Sequence, residues 1–205
     1  MNIKGLKELD EKGFPIMRNT FIFQNLSEIP QGHMRLFGNA PRWIMRGFDD
    51  NVSIYDHPYK IREARILGFK GRDLREVFAQ LNKEMDEKGL DSEDRTYFVG
   101  EVFTPETTKF TGMGFRDENM LCIDIKNGVR DSRTDWDPDV AISVPIRGGR
   151  MLWGEVPPRD PEYRDYVARV SLDLASLGDN THVDFACMKD GYFFYHDLCK
   201  VKDRR

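Results

Sequence analysis

At 205 residues the chain is long enough for one large domain or two small lobes, and it buries a core without staples. A composition of 40% hydrophobic and 32% charged residues excludes a disordered chain. The formal net charge of −4 argues against nucleic acid as a partner, which calls for a basic face or stripe.

No apolar run approaches the roughly 20 residues that span a bilayer. Met1 to Asp10 is charged and lacks a signal core, so no membrane partner is expected. The three cysteines, Cys122, Cys187 and Cys199, have neither CxxC nor zinc-finger spacing. An odd, loosely spaced set suits a reducing compartment, and the expected location is cytoplasmic.

In chain order, Ile3 to Asp10 reads as a short helix with Leu6 and Leu9 on one face, stopped by Gly13. Thr20 to Phe23 and Arg42 to Arg46 read as strands, and Gly47 to Pro58 as a loop. Asp73 to Lys88 is the clearest helix. Asp73 caps it, and Leu74, Val77, Phe78, Leu81 and Met85 form its apolar stripe.

Strands follow at Tyr97 to Phe103, Gly112 to Phe115, Met120 to Ile125 and Val140 to Ile146. Asn127-Gly128 closes the third of these with a turn. Pro161 suits the first turn of a helix running to about Leu177. His182 to Met188 and Tyr192 to Leu198 flank Lys189-Asp190-Gly191, which is a strong hairpin signal. Segregated helices and antiparallel hairpins predict an α+β fold.

Candidate chemistry lies in four places. Asp184 and Asp197 sit on the two strands of the terminal hairpin, where carboxylates removed from water need partners. Two such acids on neighbouring strands are able to share a hard cation such as Mg²⁺. The plainer reading is a pair of strand-edge acids facing water, or pairing with Lys189 and Lys200. Lys4, before Gly5 at a helix start, and Arg46, at a strand end, suit polyphosphate, or are two surface charges. Lys60, Arg62 and Arg65 read as a solvated helix face before a phosphate clamp. Glu101, Val102 and Phe103 end an apolar strand whose backbone groups suit an adenine ring, or simply end a strand. Of the four histidines, His57 sits in a polar loop. His182 and His196 are placed to face each other on the hairpin, as a proton shuttle or phosphoryl acceptor.

The order of these pieces resembles the ATP-grasp nucleotide-binding domain of the phosphoenolpyruvate synthase and pyruvate phosphate dikinase family. Lys4-Gly5-Leu6-Lys7-Glu8-Leu9 and Gly13-Phe14-Pro15-Ile16 are similar to that family's opening helix and strand. Trp43-Ile44-Met45-Arg46 is similar to its strand ending in a nucleotide-contacting arginine. Tyr97 to Phe103 is similar to its adenine-binding linker strand, and Thr111 to Phe115 to the Ser-Gly-Val-x-Phe segment that follows. Val183-Asp184-Phe185 and Asp190 to Asp197 are similar to its metal-binding strands.

The resemblance implies a two-lobed, ATP-grasp-like α+β fold with antiparallel sheets, divided into a lobe of residues 1–90 and a lobe of residues 91–205. It implies ATP and Mg²⁺ as cofactors, with Asp184 and Asp197 as metal ligands. Lys4 and Arg46 take catalytic, phosphate-contacting positions, and Glu101, Val102 and Phe103 hold adenine. The implied reaction is ATP-dependent phosphoryl transfer or ligation to a small-molecule or protein acceptor. The alternative is a non-catalytic nucleotide-binding regulatory or interaction module.

Three departures bear on that choice. Gly47-Phe48 replaces the family's Ser-Ser. Cys199 stands where an arginine is expected two residues beyond Asp197, with Lys200 adjacent. Nothing follows Arg205 to house the swivelling phosphohistidine domain or the pyruvate-binding barrel, so full synthase or dikinase chemistry is not expected of this chain alone.

Overall fold

The computed structural model describes residues 2–30, 32, 43–49, 63–67, 74–90, 95–102, 104–129, 138–147, 150–151 and 161–201. They divide into two compact units, Met1–Val102 and Phe103–Arg205. The break falls after Val102 rather than after residue 90, because Arg95–Glu101 is hydrogen-bonded into the first unit's sheet.

The first unit runs α1 (Ile3–Glu11), β1 (Phe21–Phe23), a single 3-10 turn, β2 (Trp43–Asp49), β3 (Glu63–Leu67), α2 (Leu74–Glu87) and β4 (Arg95–Glu101). Its sheet has the order β1-β4-β2-β3, antiparallel throughout. Asn2 caps α1 by accepting a hydrogen bond from the Gly5 amide at 3.1 Å. The helix buries Ile3, Leu6 and Leu9.

The i, i+3, i+7 spacing of α2 lays Leu74, Val77, Leu81 and Met85 on Trp43 and Met45 of β2 and Tyr97 and Val99 of β4. Each such buried aliphatic side chain contributes about 1.5–3 kcal/mol. Arg95 ties the end of α2 to the sheet. Its guanidinium donates to Asp86 at 2.6 Å, to the Leu90 carbonyl at 2.7 Å and to Asn82 at 3.2 Å.

Two expectations change here. Gly47 and Phe48 continue β2, because the strand is paired on both sides, to β3 and to β4. A side chain at Gly47 would put its Cβ 2.0 Å from Met85 Sδ, and Phe48 is fully buried. Both residues therefore serve the core. Arg65 lies in β3, opposite Arg46, and not on a helix face, since β3 takes up the free edge of β2. Lys60, Arg62, the Asp73 cap and the rest of the expected loop lie outside the described residues.

The second unit runs β5 (Thr108–Arg116), β6 (Met120–Asn127), β7 (Val140–Arg147), β8 (Arg150–Met151), α3 (Pro161–Leu177), β9 (Thr181–Met188) and β10 (Phe193–Lys200). The sheet order is β10-β9-β5-β6-β7-β8, again antiparallel. The terminal hairpin folds as expected. Gly191 supplies the left-handed turn conformation at φ +86°, and Asp190 accepts from the Tyr192 amide at 3.0 Å.

α3 lies on one face of this sheet and buries Val167, Val170, Leu174 and Leu177. The helix approaches closely because β5 carries Gly114 beneath it, where a Cβ would stand 2.9 Å from Leu174 and 3.0 Å from Val170. Gly112 and Gly114, two residues apart on β5, both have a packing role, since a Cβ at Gly112 would stand 2.3 Å from Phe185. Tyr195 points to the same side, and its hydroxyl donates to Asp173 of α3 at 2.6 Å. Burial, reinforced by that carboxylate, pushes the Tyr195 phenol far above its ordinary range.

Candidate functional site

The face of the second sheet turned away from α3 carries the acidic pair. Asp184 on β9 is the direct cross-strand partner of Asp197 on β10, with Met113 of β5 on its other side. Directly opposed side chains start about 4.5–5.5 Å apart at Cβ, close enough for two carboxylates to reach one ion.

A bulge produces this register. Tyr195 pairs with Phe185, yet Asp197 pairs with Asp184, so His196 is an extra residue on β10. Regular alternation would have put Asp197 on the same face as Tyr195, under α3. Instead Asp197 and Cys199 share the face turned away from α3 with Phe194, while Leu198 and Lys200 turn to the helix side. His196 does not face His182. The residue opposite His182 is Cys199.

Asp197 is nearly fully buried at 2% exposure, and the Asp184 side chain keeps 20%. His182 Nε2 lies 3.6 Å from Asp184 Oδ1. Burial, then the charges of Asp197 and Asp184, push the Cys199 thiol up to about 12. Cys199 is thus a neutral thiol beside the two carboxylates, where an arginine was expected.

Lys200 does not replace that arginine. Its ammonium donates to the carbonyl of Leu177, at the C-terminus of α3, and to Thr181 Oγ1 at 2.6 Å. It therefore points away from Asp197 and serves the helix end.

Lys4 and Arg46 belong to the first unit. Lys4 is exposed in the first turn of α1. Arg46 is half-buried on the face of β2 opposite α2, between Arg65 of β3 and Phe98 of β4. Glu101 ends β4, pairs with Trp43 and accepts from Asn19 Nδ2 at 3.4 Å. Val102 follows it, and Phe103 lies outside the described residues.

The bulge and the His182–Asp184 contact are what sequence reading missed. The contact was legible as an i, i+2 strand pair. The bulge carried no local sequence signal. Among the described residues, no three His, Cys, Asp or Glu side chains are already gathered closely enough to hold an ion. No helix among them is long and apolar enough to cross a membrane, and none of the three cysteines is in a disulfide.

No family model matches the chain, and no curated protein does. Solved structures do. An N5-carboxyaminoimidazole synthetase from Staphylococcus aureus, solved as its ADP complex, superposes with a TM-score of 0.50 at 10% identity, covering 98% of this chain and 44% of its own. A D-alanyl-alanine synthetase A from Vibrio cholerae O1 biovar eltor gives 0.49 at 9% identity, covering 97% and 54%. The ATP-grasp ligase PsnB, complexed with a minimal precursor, gives 0.42 at 14% identity, covering 100% and 53%.

The chain thus spans about half the length of the solved structures it resembles. At such low identity the likeness speaks to fold alone, and it is the N5-carboxyaminoimidazole synthetase superposition that carries it. The fold is α+β and ATP-grasp-like, with two antiparallel sheets and helices packed on them.

Proposed function

We propose that this chain binds ATP with a divalent cation and uses it for phosphoryl transfer, or for ligation through an acyl-phosphate, to a small-molecule or protein acceptor. The observation that carries this reading is the β10 bulge, which turns Asp197 onto the face away from α3, directly opposite Asp184. Bulges recur beside active sites, where they re-aim a side chain.

Two opposed carboxylates fit Mg²⁺, a hard ion that takes one or two protein carboxylates and completes its shell with phosphate oxygens and water. Asp184 and Asp197 would hold it. When bound, the ion supplies neutralisation of phosphate charge. We assign Lys4 and Arg46 to phosphate oxygens, and the backbone at Glu101, Val102 and Phe103 to adenine. Within the ATP-grasp fold, the order of Lys4-Gly5, Trp43 to Arg46, Val183 to Phe185 and Asp190 to Asp197 favours a nucleotide site of the phosphoenolpyruvate synthase and pyruvate phosphate dikinase kind. Three cysteines outside any disulfide suit a cytoplasmic location.

Calorimetric titration with Mg–ATP tests the reading. Wild type is expected to bind, and Asp184→Asn to lose binding while keeping its circular dichroism spectrum. Unchanged affinity in a folded Asp184→Asn protein would sink the metal assignment. A second reading is favoured by Cys199 and by the commitment of Lys200 to α3. It is a module that binds nucleotide without transfer, since neither Cys199 nor Lys200 supplies the cation expected beside the transferring phosphoryl group. Binding with no ATP turnover supports that second reading, and turnover excludes it.

A further inference from the structure

The proposed site uses two oxygen ligands, yet the same face of the hairpin carries two more donor atoms beside them. His182 stands two residues before Asp184 on β9, and Cys199 two residues after Asp197 on β10, and the ladder pairs His182 with Cys199. The four side chains occupy the corners of one cell of the sheet, about 5 Å across the strands and about 6.5 Å along them.

Within that cell, His182 Nε2 and Asp184 Oδ1 are 3.6 Å apart. Two ligands of one tetrahedral ion, each bound at about 2.0–2.2 Å, lie about 3.3–3.6 Å from each other. The imidazole keeps 24% exposure and the Asp184 side chain 20%, while Asp184 Oδ1 itself, the atom facing His182, is buried. On the opposite flank of the carboxylate pair the row is Thr111, Ala186 and Phe194, all buried and without a nitrogen donor in their side chains. A nitrogen ligand from this row pattern therefore comes from the His182 side.

We propose that His182 is a third protein ligand of the ion held by Asp184 and Asp197, and that the site prefers a divalent transition metal to Mg²⁺. This rests on the reading of Asp184 and Asp197 as metal ligands. Imidazole suits first-row transition metals and zinc, whereas Mg²⁺ takes oxygen and gives up its waters reluctantly. Among the described residues no third donor is yet gathered with the His182–Asp184 pair, so Asp197 joins by turning about its side-chain bonds. Its backbone already faces that of Asp184 and need not move.

The test uses the full chain without nucleotide. Affinities for Mg²⁺, Mn²⁺ and Zn²⁺ are measured by calorimetry, and the Mn²⁺-loaded protein is examined by pulsed electron paramagnetic resonance for imidazole ¹⁴N coupling. Wild type is expected to bind Mn²⁺ and Zn²⁺ more tightly than Mg²⁺ and to show the coupling. His182→Gln is expected to lose the coupling and to weaken Mn²⁺ and Zn²⁺ binding by about tenfold, with Mg²⁺ binding unchanged.

The spectrum of wild type decides even if the variant misfolds, because absence of imidazole coupling overturns the proposal. Coupling that persists in His182→Gln overturns it too, by pointing to another histidine. Asp184→Asn separates the two levels. If it leaves ion binding intact, the carboxylate site itself fails. If it abolishes ion binding while wild type lacks the coupling, only the role of His182 fails.

Discussion

At the scale of single residues, the most consequential neighbours are Cys199 and Lys200. They are adjacent in sequence and face opposite sides of one strand. Cys199 stands with the carboxylates, and Lys200 satisfies the last carbonyl of α3 and the Thr181 hydroxyl. A cation at a helix C-terminus, bonded to a carbonyl that the helix cannot satisfy, contributes up to about 2 kcal/mol. Lys200→Met keeps the aliphatic stem and removes the charge. It is expected to lower the unfolding free energy by about 1–2 kcal/mol while leaving Mg–ATP affinity unchanged. Urea denaturation and calorimetry check the two halves. Undiminished stability with weakened nucleotide binding would return Lys200 to the phosphate site.

At the scale of elements, the bulge on β10 makes a prediction that neither residue identity nor propensity makes. His196 is the extra residue, so deleting it restores a regular ladder with Asp197 still opposite Asp184. Deleting Leu198 instead shifts Cys199 and Lys200 across the strand and pulls the Lys200 ammonium off the Leu177 carbonyl. The His196 deletion is therefore expected to keep both the fold and Mg–ATP binding. The Leu198 deletion is expected to melt markedly lower, with the loss of a fully buried side chain added. Thermal melts rank the two, and equal losses in both would contradict the register. The same strand shows what was legible in the sequence and what was not. The hairpin was readable from Asp190-Gly191 between apolar runs, because the turn chemistry is local. Which face Asp197 takes depends on counting residues across a ladder, and one inserted residue reverses the count. α1, α2 and α3 were readable from their apolar spacing, whereas β3 was missed. Its pairing to β2 is long-range and leaves no mark in the short window Glu63 to Leu67.

At the scale of the whole molecule, each unit carries its own sheet and its own buried helix face. A ligand specific to the native state raises the stability of whatever structure holds it, by RT ln(1 + [L]/Kd). At 100 times Kd this amounts to about 2.7 kcal/mol. For a protein of this size each kcal/mol moves the melting temperature by about 2–4 °C, which gives a shift of about 5–10 °C. The shift is expected in scanning calorimetry only when ATP and a divalent cation are both present, and chelation is expected to abolish it. If the two units melt apart, the transition of Phe103–Arg205 must be among those that move, because that unit holds Asp184 and Asp197. A shift confined to the other transition would place the nucleotide away from the acidic pair. No shift in any transition, at saturating nucleotide and cation, would leave the ATP-grasp-like fold as a scaffold without its ligand.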